Sequence, residues 1–487
     1  MVGTAASRSS SSICWPRERG RCGPAAQPRK LSCALGDLRP PPVGSAPVSR
    51  RRRARPPPHE EVVPLHPFTA DAAAALAGPE WLQARRRAAA ERFAAASLPN
   101  AEEEVWRYSR VGELDLAAWQ PSSGATAAAD LGSDDLLKGP AVTITVRDGV
   151  ASIGGVPAEW TAKGVVISTA SLLDDEAASG LGVVSGVGPD VFATLNDAFA
   201  LDPILISVPR GVVLDVPILV RHHVSVAGSA TFPRLIVRIG EGAEATVVDQ
   251  VSSGAEAVLS VPLTELAVAR GGRLGYLHVQ ELGSAGWQLG SLVARVEQEG
   301  NLKAALVGLG GSYARIRTDC RLSGRGAHGD LLAAYFGEGD QTLDFRTFQY
   351  HDAPDTTSNL LFKGAVGGHS RSVYTGLIRV DKNARGTNAF QTNRNVKLSD
   401  TAWAESVPNL EIETNDVHCS HASTVGPVDA EQRFYLESRG VTPRTADRLI
   451  VAGFFDEVVR ALPAAGAVDA VRTRIADKLD RTAGDLR

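Results

Sequence analysis

The stretch that decides the fold runs from Ile236 to Gly326. It reads Ile236-Val237-Arg238-Ile239 then Gly242, Leu266-Ala267-Val268 then Gly272, Val293-Ala294-Arg295-Val296 then Gly300, and Cys320-Arg321-Leu322 then Gly326. The glycines fall 30, 28 and 26 residues apart. A repeat of that length, built only from strands and turns, predicts a solenoid in which each coil stacks on its neighbour. Glycine at each corner is expected where the backbone must take φ > 0. The competing architecture is a β-sandwich with irregular hairpins. Two-residue Asn-Gly and Asp-Gly turns are scarce, which favours stacked parallel rungs over a meander.

Outward from this stretch the same period of two persists. It begins after Pro140 with Val142, Ile144 and Val146 and continues through Ile204 to Val208, Ile218 to Val226 and Leu410 to Ile412. Before it, residues 69–98 turn helical. Trp81, Leu82, Ala89 and Phe93 recur at helical spacing, Arg85 to Arg87 are expected on the wet side, and Pro99-Asn100 stops the run. After it, Asp429 with Gln432 forms a capping box for a helix ending at Arg439, with Gly440 in the C′ position. Thr442 caps a second helix with Pro443 in its first turn. Its predicted buried stripe is Ala446, Leu449, Ile450, Phe454, Val458 and Leu462, widened by Phe455 and Val459, and a third helix spans 468–479.

The first 59 residues differ in kind. They hold twelve Lys/Arg against Glu18 and Asp37, a net of +10, whereas the remainder holds 39 basic and 53 acidic residues, a net of −14. The leader has no hydrophobic core segment, so it is no secretory signal. A transit peptide, a wrongly assigned start and a disordered basic arm all fit its Ser-, Pro- and Arg-rich composition. The acidic body offers no electrostatic footprint for nucleic acid. No run approaches eighteen uncharged apolar residues, so no membrane helix is expected. Three cysteines (Cys14, Cys22, Cys33) lie in the leader, leaving Cys320 and Cys419 in the body. Two cysteines in so long a body make no disulfide framework and point to a reducing compartment.

The usual catalytic signatures are missing: no P-loop, C-x-x-C pair, H-E-x-x-H, Rossmann fingerprint or G-x-S-x-G elbow occurs. The chemically loaded stretch is Asn415-Asp416-Val417-His418-Cys419-Ser420-His421. If extended, it places Cys419 and His421 on one face. Thiolate beside imidazole suits iron, an iron–sulfur cluster or zinc. Two ligands leave a site open, and spacing by itself favours a packed cysteine and a satisfied surface histidine.

The run Asp416 to Gly426, followed by Asp429-Ala430-Glu431-Gln432-Arg433-Phe434-Tyr435-Leu436-Glu437-Ser438-Arg439-Gly440, resembles the C-terminal signature of the SufB/SufD family, in its SufD-like C-S-H form. His351-Asp352-Ala353-Pro354-Asp355-Thr356-Thr357-Ser358-Asn359, Gln391-Thr392-Asn393-Arg394-Asn395, Val208-Pro209-Arg210-Gly211-Val212 and Glu104-Val105-Trp106-Arg107-Tyr108 extend the resemblance across about residues 68–465. His418 and Ala422 depart from the commoner Lys and Gly, and the leader matches nothing.

The resemblance implies a mainly β fold, a right-handed parallel β-helix between helical segments. Composition and period divide the chain into a leader (1–61), an N-terminal helical region (62–140), a β-helix core (141–426) and a C-terminal helical domain (427–487), and the resemblance falls outside the leader. The resemblance implies a non-catalytic scaffold that pairs with a SufB-like subunit and docks a SufC-like ATPase without binding nucleotide itself. A nascent iron–sulfur cluster would be shared with SufB, with His421 the ligand candidate and Cys419 adjacent. Phe434, Tyr435, Phe454 and Phe455 are the candidate docking side chains. Trp106 and Tyr108 are expected to dock the N-terminal segment, and His351 and Asn393 to be rung or corner residues. A cytoplasmic location follows, or a plastid or mitochondrion if the leader is a transit peptide. The rivals are a SufB-like chain carrying the cluster itself and a β-helix carbohydrate-active enzyme. The latter needs clustered acids, whereas Asp319, Asp330 and Asp344 are scattered in sequence.

Overall fold

Alternating apolar positions become strands because every second side chain can then enter one shared core. In the computed structural model, which describes residues 66–124, 136–173, 181–186 and 188–482, they build a parallel solenoid of about eight turns. The leader, with Cys14, Cys22 and Cys33, lies outside the described residues. Each turn contributes one strand to each of two sheets, from Ile204–Val208 with Ile218–Val224 up to Trp403–Ile412 with Val417–Pro427. Register runs straight up the stack: Val237 pairs with Leu266, Leu266 with Ala294, Ala294 with Cys320, Cys320 with Gln349, and on to Ile378 and Leu410. The parallel solenoid, not the sandwich, is the architecture.

The corners differ from expectation in one detail. Gly242 and Gly326 take φ of 64° and 69°, but Gly272 and Gly300 do not. In their turns the left-handed position is one residue earlier, at Gly271 (62°) and at Glu299 (54°). Gly272 and Gly300 serve close approach instead: a Cβ on either would stand 3.0 Å from the carbonyl oxygen of Ala269 or Glu297, respectively. A periodic glycine can thus mark either a dihedral requirement or a steric one.

Inside the solenoid the lower turns are aliphatic, with Val220, Val237, Val247, Leu266, Leu292 and Leu306 in one continuous core. The C-terminal helices Ala430–Ser438, Pro443–Val459 and Val468–Thr482 follow the caps expected of them. Val451, Phe455, Val458, Val471, Ile475 and Leu479 pack on Val248, Leu277, Val307 and Phe336 of one sheet's outer face. Buried Lys478 anchors the last helix, its Nζ donating to the Leu309 carbonyl oxygen and, at 2.8 Å, to Gln341 Oε1. Burial lowers that amine to about 8.

The N-terminal helix is broken into Ala70–Ala74 and Glu80–Ala95, because Gly78 and Pro79 interrupt it. Arg86 is not on the wet side. It is fully buried and donates to the carbonyl oxygens of Leu76, Ala77, Ala200 and Leu201. Those are loop and helix-end carbonyls that would otherwise go unsatisfied. Helix Val191–Phe199 packs beside Glu80–Ala95, and Phe68, Phe93, Phe192 and Phe199 fill the seam. Among the described residues no helix is long and apolar enough to cross a membrane.

Candidate functional site

Trp403–Ile412 and Val417–Pro427 form the last turn, and each is bonded to a single neighbour, Arg371–Val380 and Thr387–Lys397 respectively. Their outer edges therefore present unpaired N–H and C=O groups over ten and eleven residues. No residue of Trp403–Ile412 is fully buried, whereas the strand beneath it is mostly buried.

The segment Val417–Pro427 is extended, so Cys419 and His421 share one face and His418 and Ser420 the other. Register shows which face is inward: Cys419 lies over Ala389 and His421 over Gln391, both buried in the lumen. Across the turn Ser423 Oγ donates to Ser406 Oγ at 2.8 Å, tying the two edge strands together through inward side chains. Cys419 is half-buried against Leu410 and Ile378. Burial raises its thiol pKa, partly offset by hydrogen bonding to the Ala389 backbone. His421 is exposed, since no further turn covers it.

Cys320 takes no part. It is buried beside Gly329, and burial pushes its thiol up to about 12. It also lies three turns beneath Leu410, about 14 Å at the usual strand spacing. Among the described residues no three His, Cys, Asp or Glu side chains cluster as a metal site.

The other segments that carry the family resemblance hold the frame. His351 is buried, with Nδ1 2.8 Å from Thr356 Oγ1 and Nε2 2.9 Å from Ser358 Oγ, and burial lowers it to about 4. Asn393 donates to Tyr335 Oη at 2.9 Å, and that hydroxyl donates to Asn395. Trp106 is buried beneath the Arg315 guanidinium, 3.8 Å above its ring. Arg315 and Arg346 donate to the Val105 and Arg107 carbonyl oxygens, clamping this strap onto the solenoid. Tyr108, at φ 64°, packs against Trp403 on the edge strand.

The docking candidates divide. Helix Ala430–Ser438 buries none of its residues, and Phe434 and Tyr435 are 73% and 59% exposed. Phe455 is 1% exposed and stacks on Phe336, so it is a core residue and not a docking one. Phe454 is partly covered, with Lys363 Nζ 4.8 Å over its ring. Of the predicted stripe, Ala446, Val458 and Leu462 are buried, as are Phe455 and Val459 that widen it, whereas Leu449 is half exposed, Ile450 and Phe454 are partly covered, and Val451 is buried in addition. Apolar residues occupy both sides of this helix, so periodicity alone could not choose. Tyr435, Leu436, Leu449 and Phe454 line an open apolar groove with Val396 and Pro427. Sequence reasoning missed the groove because its walls come from separate elements.

The fold is that of a parallel solenoid protein, and its Cys419–His421 segment lies on the unpaired last turn instead of in a closed cavity. A family model described as the SufBD core domain of the SUF iron–sulfur cluster assembly system matches residues 222–454. An iron–sulfur cluster assembly SufBD family protein of Mycobacterium bovis is 32% identical over 389 residues, 78% of this chain and 87% of that protein. The chloroplastic protein ABCI7 of Arabidopsis thaliana is 26% identical over 406 residues, 81% and 85% of the two chains. A SufBD family protein of Staphylococcus epidermidis is 26% identical over 280 residues, 57% and 60%. The chain belongs to the SufBD family of iron–sulfur cluster assembly proteins.

Proposed function

We propose that this chain is the SufD-type member of its assembly complex, a non-catalytic scaffold that shares a nascent cluster with a SufB-like subunit. The observation that carries this reading is the position of the Cys-Ser-His segment on an unpaired edge strand, facing inward at the open end. A partner solenoid pairing there would bury the edge and complete a ligand set that two side chains cannot close. His421 is the proposed ligand, through a neutral ring nitrogen, and Cys419 the neighbouring one. The isolation of Cys320 counts against a SufB-like chain holding a cluster between its own two body cysteines. A carbohydrate-active reading is weakened by the acids: Asp344 is buried between Arg315 and Arg346, and Asp319 pairs with Arg317.

The groove and the exposed Phe434 and Tyr435 support docking of a SufC-like ATPase on the C-terminal helices. The chloroplastic relative supports a plastid location if the leader is a transit peptide; otherwise the cytoplasm is proposed.

One co-purification and complementation experiment tests the set. His421→Ala should keep the melting temperature and both partners yet fail to support cluster assembly in cells. Phe434→Ala with Tyr435→Ala should lose the ATPase and keep the SufB-like partner. A His421→Ala chain that assembles clusters normally removes the ligand assignment, and retention of the ATPase by the double variant removes the dock.

A further inference from the structure

Directly beneath His421 in the stack lies Gln391, 0% exposed. Neither its amide nitrogen nor its amide oxygen has a hydrogen-bond partner among the described residues. A buried amide with both ends unsatisfied is costly, and its neighbours avoid the cost: Asn393 and Asn395 bond each other and Tyr335. Gln349 is also unpartnered, but it lies a turn lower beneath Ile378 and has no line to the open end.

The amide end of Gln391 has room because the residue opposite is glycine. A Cβ on Gly376 would stand 2.4 Å from Gln391 Nε2 and 2.3 Å from Tyr374 Oη. Above this layer, register places Pro408 over Gly376 and His421 over Gln391, so Pro408 faces His421. Proline offers the imidazole no side-chain partner. Ser423, two residues along, is engaged with Ser406. Cys419 on the other side is a weak hydrogen-bonding group. Gln391 is thus the strong hydrogen-bonding side chain that register places next to His421, one strand spacing below, about 4.8 Å between backbones.

We infer that Gln391 is a positioning residue for His421: its amide oxygen accepts the Nδ1–H, leaving Nε2 unprotonated and turned out of the open end. The bond made by one imidazole nitrogen sets which nitrogen binds metal. A buried amide that anchors the ring would hold that nitrogen ready before any partner arrives. This rests on the reading of His421 as a ligand.

The test uses the full chain labelled with 15N in its histidine rings. The His421 signals are those lost in His421→Ala. In the unaltered chain His421 should be protonated at Nδ1 and bare at Nε2. Gln391→Leu keeps the volume and removes the acceptor, so the ring should shift to the Nε2–H form that an isolated imidazole prefers. Gln391→Glu should return the proton to Nδ1. An unaltered chain already in the Nε2–H form overturns the inference, whether or not the leucine variant folds. So does a folded Gln391→Leu chain whose His421 signals do not move. Failure of the ligand reading appears elsewhere, as normal cluster assembly by His421→Ala in cells, and leaves the nitrogen shifts untouched.

Discussion

The two ends of the solenoid are built differently. At the N-terminal end the stack is closed by strands that reverse direction: Val166–Thr169 runs antiparallel to Ile204–Val208, and Val150–Ile153 antiparallel to Val142–Arg147. Trp160 and Val165 seal the core behind them. At the C-terminal end two long strands stop with nothing beyond them among the described residues. Capping one end and leaving the other bare is unusual for an isolated solenoid, because bare edges invite unwanted pairing. The difference teaches that only the C-terminal end keeps pairing capacity, and Cys419 and His421 lie on it. Pro408 within one edge strand and Pro427 at the end of the other blunt it in the way edge strands are commonly protected.

The comparison can be broken most directly by weighing a middle turn against the last. Phe362 is fully buried between Phe345 and Tyr374. Phe362→Ala should cost about 3–5 kcal/mol, whereas Leu410→Ala in the half-covered last turn should cost about 1 kcal/mol. Both are read by chemical denaturation of the purified chain. Similar losses at the two positions would mean that the last turn is as tightly packed as the middle ones.

A pH scan sharpens the same contrast. His351 is held neutral by burial, with a folded value near 4 against about 6.5 in the unfolded chain. The unfolded state therefore binds the extra proton between these values, so stability falls as pH drops from about 6.5 to 4. The loss attributable to His351 should reach about 3 kcal/mol and level off below pH 4. His351→Gln should flatten that part of the stability curve. A profile unchanged by the substitution would show that the buried histidine does not govern acid sensitivity.

The smallest effect concerns the edge. The backbone N–H groups of Trp403 and Glu413 donate into the stack, to Ser370 and Val380. Alternation then points the Ser406 N–H outward. Ser406→Pro also removes the Ser423–Ser406 hydrogen bond, so the isolated chain should lose about 1 kcal/mol; measured against Ser406→Ala, which removes that bond alone, the proline should weaken pairing with a SufB-like partner about tenfold, or about 1.4 kcal/mol. Undiminished affinity in a binding titration would mean that the partner does not add to this strand.

Much of this was legible beforehand. Regular apolar spacing must become stacked strands, because it repeats at a length that suits one turn of a coil. The caps Asp429, Thr442 and Gly440 act where the sequence places them, since capping is settled within a few residues. The pairing of Cys419 and His421 on one face follows from the period of an extended chain alone. Arg86, Val451 and Gln391 were not legible. Arg86 is buried because four carbonyl oxygens from two distant segments converge on it. Val451 is core because the solenoid wall, not the helix, selects which of two apolar faces turns inward. The sequence by itself determined the strand period, the coil length, the helix ends and the thiol–imidazole face. Only the tertiary structure decided which turn comes last, that it is uncapped, and what lies beneath His421. Those depend on register and stacking between residues 30 or more positions apart, which no local pattern encodes.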